Sequence, residues 1–246
     1  MVHEPVPTRA HTEELLAQMG AQITVSNSAA GRTITVRRSD LHPTAVVVPG
    51  DPSQAAFWVV GGLVIPGSVV SVEGTYLGAE RTGFLKVLQR MGGQLTVDAD
   101  GAGHGSVTSR SSALTATVVR AEEIPSLDEV PILAVAAAAA SGETRFTDMA
   151  ELRVKESDRL SGTVELVTAF GGRARVDGDD LVISGGHRLH PGTVDSRGDH
   201  RMAMAAAIAG AACPSPDDVT TVSGWESVRT SYPGFGADLD ALSVGS

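Results

Sequence analysis

The sequence predicts an α/β fold in which one supersecondary unit of about 70–80 residues occurs about three times. Two interleaved repeats predict the unit, and three apolar helices that lack a polar face predict how the units pack. Helices of this kind are buried on all sides, so amphipathic helices and sheets should surround them. We therefore expect the units to be arranged around a pseudo-threefold axis, with the alanine-rich helices inside.

The first repeat is the end of an amphipathic helix, then a glycine, then an alternating strand. Its glycines are Gly20, Gly92 and Gly171, which lie 72 and 79 residues apart. A glycine directly after a helix is typical of the left-handed C′ position that ends it. The three copies cover residues 15–25, 87–97 and 166–176.

The second repeat is a polar or acidic loop, then an apolar helix, then a strand. Asp51, Asp128 and Asp199 mark the three loops and lie 77 and 71 residues apart. If the units pack around one axis, the N-terminal ends of the apolar helices converge, and their free N–H groups and dipoles favour anions. A scaffold without a ligand is the alternative. The helices are predicted over 54–63, 130–140 and 202–212, and the strands over 69–73, 143–147 and 219–223.

The repeats also predict the domain limits, because the first part of the chain holds only half a unit. That part has a helix and two strands but no apolar helix. The remaining part holds three units, a last outer helix and a glycine-rich hairpin tip. The predicted limits are 1–43 for the half unit, with a helix at 8–19 and strands at 22–26 and 33–37, and 44–246 for the larger domain. The three units of the larger domain are predicted at about 46–110, 114–187 and 190–246. We also predict a linker or crossing strand at 42–48, the hairpin tip at 100–106 and the last helix at 236–243.

The composition favours a folded α/β protein, since hydrophobic residues make up 42% and aromatic residues only 4%. The formal net charge of −10 argues against a nucleic-acid partner bound through overall positive charge. No apolar run is long enough to span a membrane, residues 1–7 do not resemble a secretion signal, and the seven histidines lack zinc-ligand spacing. Cys213 is the only cysteine, which favours a reducing, cytoplasmic setting, and it is predicted to be a buried structural thiol.

The segment 151–159 is the densest group of charges in the chain, with six ionisable side chains in nine residues. Three are cations and three are carboxylic acids. Such a set can bind phosphates and carboxylates while a carboxylate stays available for proton transfer. The alternative is a solvated helix start with i,i+4 ion pairs, such as Glu151 with Lys155.

Five motifs give the chain a resemblance to the EPSP synthase (3-phosphoshikimate 1-carboxyvinyltransferase) family of enolpyruvyl transferases. Two are long signatures, LRVKESDR at 152–159 and GDHRMAM at 198–204, and three shorter motifs lie at 50–53, 81–83 and 125–131. They are collinear over essentially the whole chain. The resemblance implies βαβαββ-type units in two domains with the active site between them. By this resemblance residues 1–43 are a remnant of the N-terminal domain and residues 44–246 are a complete C-terminal domain.

The resemblance also implies an activity and its site residues. The reaction is transfer of the enolpyruvyl group from phosphoenolpyruvate to the 5-hydroxyl of shikimate 3-phosphate, with release of phosphate, in the shikimate pathway of aromatic amino acid biosynthesis. It implies a monomer with no cofactor, no metal and no membrane partner. The catalytic residues would be Asp128 for the 5-hydroxyl proton, Glu156 for the proton at the methylene carbon, and Lys155 for the hydroxyl or the phosphate. The substrate-binding residues would be Arg159 and Arg201 on the phosphoenolpyruvate carboxylate, His200 beside them, Lys155, and Arg9 on the shikimate phosphate.

The sequence departs from the family pattern in three places. Motifs of the family's N-terminal portion are absent, so the chain looks like a C-terminal fragment, and we expect weak phosphoenolpyruvate binding with little or no turnover from it alone. Arg229 is the nearest cation where some relatives place a lysine in the final loop. The loop before Asp128 looks one residue shorter than in relatives, so Glu129 could take its role.

Simpler explanations stay open for several residues. Asp51 is expected to cap its helix, and Asp199 to be either a cap or an orienter of an arginine. Arg153 is expected to be a structural partner. The aromatic side chains are expected to serve packing only: Trp58, Tyr76, Trp225 and Tyr232.

Two further functions remain as alternatives. A UDP-N-acetylglucosamine enolpyruvyltransferase would have the same fold, but Cys213 does not stand in a loop before a helix, where the catalytic cysteine of that enzyme would lie. The other alternative is a non-catalytic, anion-binding domain that complements a separate N-terminal fragment.

Overall fold

The computed structural model describes residues 1–6, 9–101, 103–213 and 219–243. The chain divides into two compact units, Met1–Pro49 and Gly50–Ser246. This division falls after Pro49, whereas the sequence predicted a boundary after residue 43. Residues 38–49 contain no helix or strand, in agreement with a linker rather than a crossing strand.

The first unit is a three-stranded antiparallel sheet with one helix. Its strand order is β1-β3-β2, and β1 was not predicted because three residues are too short to show alternation. Arg32 is the buried charge of this unit, and its guanidinium pairs with Glu4 at 2.6 Å and Glu13 at 3.4 Å. The predicted helix begins later than residue 8, and Thr8 lies outside the described residues. The elements are β1 (Val2–Glu4), α1 (His11–Gln18), β2 (Gln22–Ser28) and β3 (Gly31–Arg37).

The second unit contains the three predicted apolar helices together with the predicted strands and outer helices. Short 3-10 helices occur at Ala121–Glu123, Ala150–Val154 and Trp225–Thr230. The other elements in chain order are α2 (Pro52–Val64), β4 (Val69–Tyr76), α3 (Gly83–Arg90), β5 (Gln94–Ala99), β6 (His104–Arg110), β7 (Val118–Arg120), α4 (Val130–Ala139), β8 (Glu143–Thr147), α5 (Arg159–Ala169), β9 (Arg173–Asp177), β10 (Asp180–Ser184), β11 (Thr193–Asp195), α6 (His200–Ala211), β12 (Thr221–Ser223) and α7 (Phe235–Ser243).

Sheet pairing reveals the repeated unit. Helices α4 and α6 each connect two parallel strands, β7 to β8 and β11 to β12, and α2 lies between Gly50 and Thr75, which form a parallel bridge. After the outer helices α3 and α5, the antiparallel hairpins β5–β6 and β9–β10 close the first two units. The sheet orders are β4-β6-β5, β7-β8-β10-β9 and β11-β12. The predicted α/β repeat is therefore confirmed, but the hairpin tip predicted at 100–106 is shorter, because β6 already begins at His104.

The three apolar helices form the centre of the core. Helices α2, α4 and α6 contact one another in all three pairs, and α4 is buried from Val130 to Ala138. A helix that is apolar on every side can reach this burial only if elements pack around it completely. Gly20, Gly92 and Gly171 have φ of +93°, +91° and +80°, as the C′ prediction requires.

The aromatic side chains and the cysteine complete the packing. Trp58 stacks on Phe235 with ring centroids 4.7 Å apart, and Tyr232 meets the same ring edge-on at 5.5 Å. These contacts agree with the packing role predicted for the aromatic residues. The prediction of a buried thiol is wrong, because Cys213 follows the last turn of α6 and stays partly exposed. None of the helices within the described ranges is long and apolar enough to cross a membrane.

Candidate active site

The N-terminal ends of the three apolar helices converge, as the Asp repeat predicted. Ser53 at the start of α2 donates a 2.5 Å hydrogen bond to Glu129, which is the N-cap residue of α4. Arg201 at the start of α6 donates a 3.2 Å bond to Asp128, next to that cap. Side chains from all three helix starts thus meet at α4, and the free N–H groups and dipole of a helix N-terminus favour anions.

Arg159 is the buried cation of this region and has no solvent-exposed surface. Its guanidinium contacts three carboxylates: Nη1 lies 3.1 Å from Asp128, Nη2 lies 2.6 Å from Glu156, and Nε lies 2.8 Å from Asp199. An always-charged group can be buried only when it is paired, so these carboxylates make its burial possible.

The charged segment precedes the outer helix α5 and does not form its start, as the solvated alternative would require. Its first residues form the 3-10 helix Ala150–Val154, and α5 begins only at Arg159, the last residue of the segment. Asp158 ends the loop, because its side chain accepts the Ser161 N–H at 3.1 Å and caps α5. The intervening loop is what brings Glu156 back to the guanidinium of Arg159.

Asp199 fulfils both of the roles that the sequence left open. It caps α6 by accepting the Arg201 N–H at 2.9 Å, and it holds Arg159 through two hydrogen bonds of 2.8 and 3.3 Å. Its side chain has no exposed surface. Burial would raise the pKa of Asp199, but the hydrogen bond and charge of Arg159 outweigh it and bring the pKa below its ordinary value.

Arg201 carries unused hydrogen-bonding capacity. Only 8% of the residue is exposed, and Nη2 bonds Asp128, while Nε and Nη1 have no hydrogen-bond partner among the described residues. Buried donors of this kind are costly unless a ligand or water satisfies them. The unpaired N–H groups therefore mark a place where an anion can bind.

His200 and Lys155 border the cluster in different ways. Burial, then the neighbouring Arg201 charge, lowers the pKa of the partly buried His200, which favours a neutral ring at neutral pH. Lys155 forms an ion pair with Glu151, so the i,i+4 pair expected for a solvated segment is present. Of the predicted catalytic residues, Asp128 and Glu156 contact Arg159 directly, whereas Lys155 donates a hydrogen bond to Glu151.

A second buried network, which the sequence reasoning missed as a unit, lies on the other side of Asp128. Glu129 is 2% exposed and accepts hydrogen bonds from Ser53 and Ser126. Arg81 reaches the same serine, since its Nη2 lies 2.8 Å from both Ser53 Oγ and Asp51 Oδ1. Burial raises the pKa of the Glu129 carboxyl, against the lowering effect of the Ser53 hydrogen bond. The available sequence signal for this network was the repeat itself, which places the three Asp-containing loops at equivalent positions before the apolar helices.

The remaining predicted residues lie elsewhere. Asp51 caps α2 through the Ser53 N–H at 3.0 Å, as expected. Arg153 donates to the Gly178 carbonyl at 3.2 Å, in agreement with a structural role, and Arg229 is exposed. Arg9 belongs to the first unit, where its carbonyl accepts a 3.3 Å bond from Arg32. The described part of the chain brings together no group of three His, Cys, Asp or Glu side chains able to hold a metal ion.

Comparison with known sequences gives one consistent result. The profile of the family described as EPSP synthase (3-phosphoshikimate 1-carboxyvinyltransferase) matches residues 1–239. The 3-phosphoshikimate 1-carboxyvinyltransferase of Acidiphilium cryptum is 44% identical over 240 residues, which cover 95% of this chain and 53% of that protein. The protein of the same name from Desulforudis audaxviator is 43% identical over 247 residues, covering 98% and 56%. The chain thus spans about half the length of the curated relatives it matches.

Solved structures agree with the sequence comparison. The 2.37 Å structure of EPSP synthase from Acinetobacter baumannii superposes with a TM-score of 0.87 at 33% identity, covering 98% of this chain and 55% of that one. The enolpyruvyl transferase NikO from Streptomyces tendae has a TM-score of 0.73 at 23% identity, with 98% and 54% coverage. The second likeness is one of fold alone.

Proposed function

This chain belongs to the EPSP synthase family, and we propose that it takes part in transfer of the enolpyruvyl group from phosphoenolpyruvate to the 5-hydroxyl of shikimate 3-phosphate. In that reaction the hydroxyl oxygen forms a bond to C2 of phosphoenolpyruvate while C3 gains a proton. The tetrahedral intermediate then loses a proton from C3, the bond from C2 to the phosphate oxygen breaks, and phosphate leaves. Protons must therefore move at one oxygen and at one carbon next to a bound dianionic ligand.

The observation that carries the proposal is the pair of buried guanidinium groups around Asp128. Arg159 lies 3.1 Å from one Asp128 oxygen, and Arg201 lies 3.2 Å from the other. Arg201 also has two buried nitrogen atoms, Nε and Nη1, without a protein acceptor among the described residues. Planar guanidinium groups bind carboxylates through paired hydrogen bonds, which fits the carboxylate of phosphoenolpyruvate.

We assign the chemical steps to the carboxylates that touch these arginines. Asp128 is the proposed base for the 5-hydroxyl proton, since two cations keep it beside the bound substrate. Glu156 is the proposed acid and base at C3, because it is half exposed, at 53%, and held to Arg159 by one contact of 2.6 Å. His200 lies next to Arg201 in the chain and is proposed to line the same site.

The roles of Lys155 and Arg9 require further contacts. Lys155 is proposed to bind the phosphate or the 5-hydroxyl, and to do so it must release Glu151, its present partner. Exchange of one anion for another is inexpensive at a side chain that is still 20% exposed. Arg9 is proposed to bind the phosphate of shikimate 3-phosphate.

The test is titration of phosphoenolpyruvate into the purified chain with shikimate 3-phosphate present, followed by calorimetry. Arg201→Lys keeps the charge but loses the paired hydrogen bonds, and we expect binding to weaken by about tenfold or more, from roughly 1.5–3 kcal/mol per charged hydrogen bond. Arg175→Lys is the matched control, because Arg175 lies on strand β9 and forms an exposed ion pair with Glu143. Equal affinity for wild type and Arg201→Lys would refute the assignment.

Turnover is a separate measurement, made as phosphate release. We propose that the chain alone binds phosphoenolpyruvate weakly and turns over slowly or not at all, and that a separate N-terminal fragment is its partner. Activity that appears only when such a fragment is added supports this partner. Phosphate release by the purified chain at the rate of a full-length family enzyme would contradict it.

A further inference from the structure

The turn before α4 contains an unusual backbone conformation directly in front of Asp128. Leu127 has φ of +54°, in the left-handed region that branched side chains rarely adopt, and the residue is only 3% exposed. Such a conformation persists only where the surroundings determine it. The Leu127 N–H bonds the Ile124 carbonyl at 2.8 Å, which closes the turn on one side.

Glu129 closes the same turn on its other side. One carboxyl oxygen accepts the Ser126 hydroxyl at 3.1 Å, and Ser126 Oγ in turn lies 3.5 Å from the Asp128 amide nitrogen. The other carboxyl oxygen accepts the Ser53 hydroxyl at 2.5 Å, so the turn is anchored to the first turn of α2. The link spans 76 residues of sequence and joins two repeats of the fold.

We infer that Glu129 is a positioning residue: its buried carboxyl fixes the turn at Leu127 and thereby directs Asp128 at Arg159 and Arg201. The inference rests on the proposed role of Asp128. It also separates the two adjacent acids, since Glu129 is enclosed by Ser53 and Ser126 while Asp128 faces the two arginines. Glu129 is thus the support of the base and not a substitute for it.

The anchor at α2 is itself fixed. Arg81 donates to both Ser53 Oγ and Asp51 Oδ1 at 2.8 Å, and its side chain is only 7% exposed. The Ser53 hydroxyl accepts from Arg81 and donates to Glu129, so its orientation is set by both partners. A rigid second layer of this kind is what holds a reactive group within a fraction of an ångström of its working position.

The hydrogen-bonding pattern predicts which substitution is tolerated. Burial raises the pKa of Glu129, which favours the neutral acid. A neutral carboxyl and an amide both offer one acceptor oxygen and one donor. Glu129→Gln can therefore accept from Ser53 and donate to Ser126 Oγ, which reverses the direction of the Ser126 hydrogen bond but keeps both contacts. Glu129→Ala removes both contacts and leaves a cavity beside the turn.

The first arm of the test is structural and does not depend on activity. Crystal structures of Glu129→Gln and Glu129→Ala are compared with that of the wild-type chain. We expect the positive φ of Leu127 and both arginine contacts of Asp128 to persist in Glu129→Gln and to be lost in Glu129→Ala. A Glu129→Ala structure that keeps all three would overturn the inference. If Glu129→Ala does not fold, Ser126→Ala removes the same link to the turn and is judged by the same criterion.

The second arm is kinetic or, where the chain does not turn over, a binding titration with phosphoenolpyruvate. We expect Glu129→Ala to lower kcat or affinity by about tenfold to a hundredfold, the effect of a misplacement near 1 Å, and Glu129→Gln to restore most of it. When Asp128→Asn is already present, adding Glu129→Ala should lower kcat or affinity by less than about a further twofold, because no base is left for Glu129 to position. Full additivity in that background would contradict positioning. Wild-type protein that neither binds nor reacts refutes the proposed function, while the structural arm still decides the role of Glu129.

Discussion

Replacing Arg159 with methionine tests the energetics of the site most directly. Methionine is unbranched, flexible and uncharged, so Arg159→Met removes the cation while keeping apolar packing along the inner part of the side chain. Arg159 has no exposed surface and contacts three carboxylates, one of which, Asp199, also has no exposed side-chain surface. Among the described residues, the substitution therefore leaves this buried carboxylate with the Arg201 amide and the Ser157 hydroxyl as its remaining hydrogen-bond donors.

The expected magnitude follows from that unpaired charge. Breaking a buried ion pair by removing one partner costs about 3–5 kcal/mol, mainly because the remaining charge is stranded. A typical domain has a free energy of unfolding of about 5–15 kcal/mol, so the variant should fold but be much less stable. For the exposed control Arg175→Met, whose pair has side chains 55% and 48% exposed, the expected loss is about 0–1 kcal/mol.

The assay is urea denaturation of wild type, Arg159→Met and Arg175→Met, followed by tryptophan fluorescence at several pH values. In wild type the pKa of Asp199 is lowered, so its stabilising contribution is present above the unfolded pKa near 3.9 and is lost as pH falls through the folded value. Without Arg159 the effect of burial is no longer outweighed, and the carboxyl can relieve its cost by binding a proton. The stability difference from wild type should therefore shrink as pH is lowered from 7 towards 5.

Two outcomes would refute this reasoning. A loss at pH 7 no larger than that of Arg175→Met would mean that Arg159 contributes no more than an exposed cation. A large loss that stays constant between pH 7 and 5 would mean that packing, and not a stranded carboxylate, accounts for the cost.

Three further variants test other parts of the fold by the same denaturation assay. Glu129→Gln should gain stability relative to wild type as pH rises, by at most about 1.4 kcal/mol per pH unit. The reason is the raised pKa of Glu129, because of which wild type loses stability above the unfolded pKa near 4.3. A stability difference that stays constant from pH 4 to 8 would contradict this expectation. Asp51→Ala should cost about 1–2 kcal/mol through the lost cap of α2 and the lost partner of Arg81, and Asp51→Asn, which keeps the cap, should cost less; equal losses would show that the cap contributes nothing. Gly185→Ala should be severely destabilising, since a Cβ would lie 2.2 Å from two backbone carbonyl oxygens at the end of α4. At Gly67 a Cβ would meet open space, so Gly67→Ala should cost only about 1–2 kcal/mol for its φ of +76°. A loss of stability in Gly185→Ala no greater than that in Gly67→Ala would contradict the close approach.

Much of the fold was predictable because the repeat combines two independent local signals. The C′ glycines end the outer helices with positive φ at Gly20, Gly92 and Gly171, and beyond their first turns the apolar helices contain only small or apolar residues. Strands of three residues, such as β1, β7 and β11, gave no alternation to detect. The helix start at Arg159 was also missed, because a 3-10 turn and a loop have the same charged composition as a solvated helix.

The site was predictable only in part, for a reason that lies in its long-range contacts. The repeat placed the loops of Asp128 and Asp199 at converging helix starts, and the family resemblance implied that Arg159 and Arg201 belong to the same site. Sequence reasoning did not identify the bond from Ser53 to Glu129, because the pairing of side chains from two repeats depends on side-chain directions at the helix starts. The ion pair of Lys155 with Glu151 was predicted only for the alternative in which segment 151–159 is a solvated surface. The structure contains this exposed pair and also the buried contact of Arg159 with Glu156 in the same segment.

The three helix starts differ in how their charges are balanced, and this difference locates the chemistry. At α2 the charges balance one to one, because Arg81 pairs with the carboxylate of Asp51 and also donates to Ser53. Between α4 and α6 two arginines face three carboxylates, so the protein cluster already carries one excess negative charge. An incoming carboxylate can therefore bind the arginines only if one acid moves aside. Glu156 is the acid best able to move, because 53% of its side chain is exposed while those of Asp128 and Asp199 are 14% and 0% exposed. Under the proposed function, binding of the substrate anion and displacement of Glu156 from Arg159 are therefore coupled by the charge balance of the site.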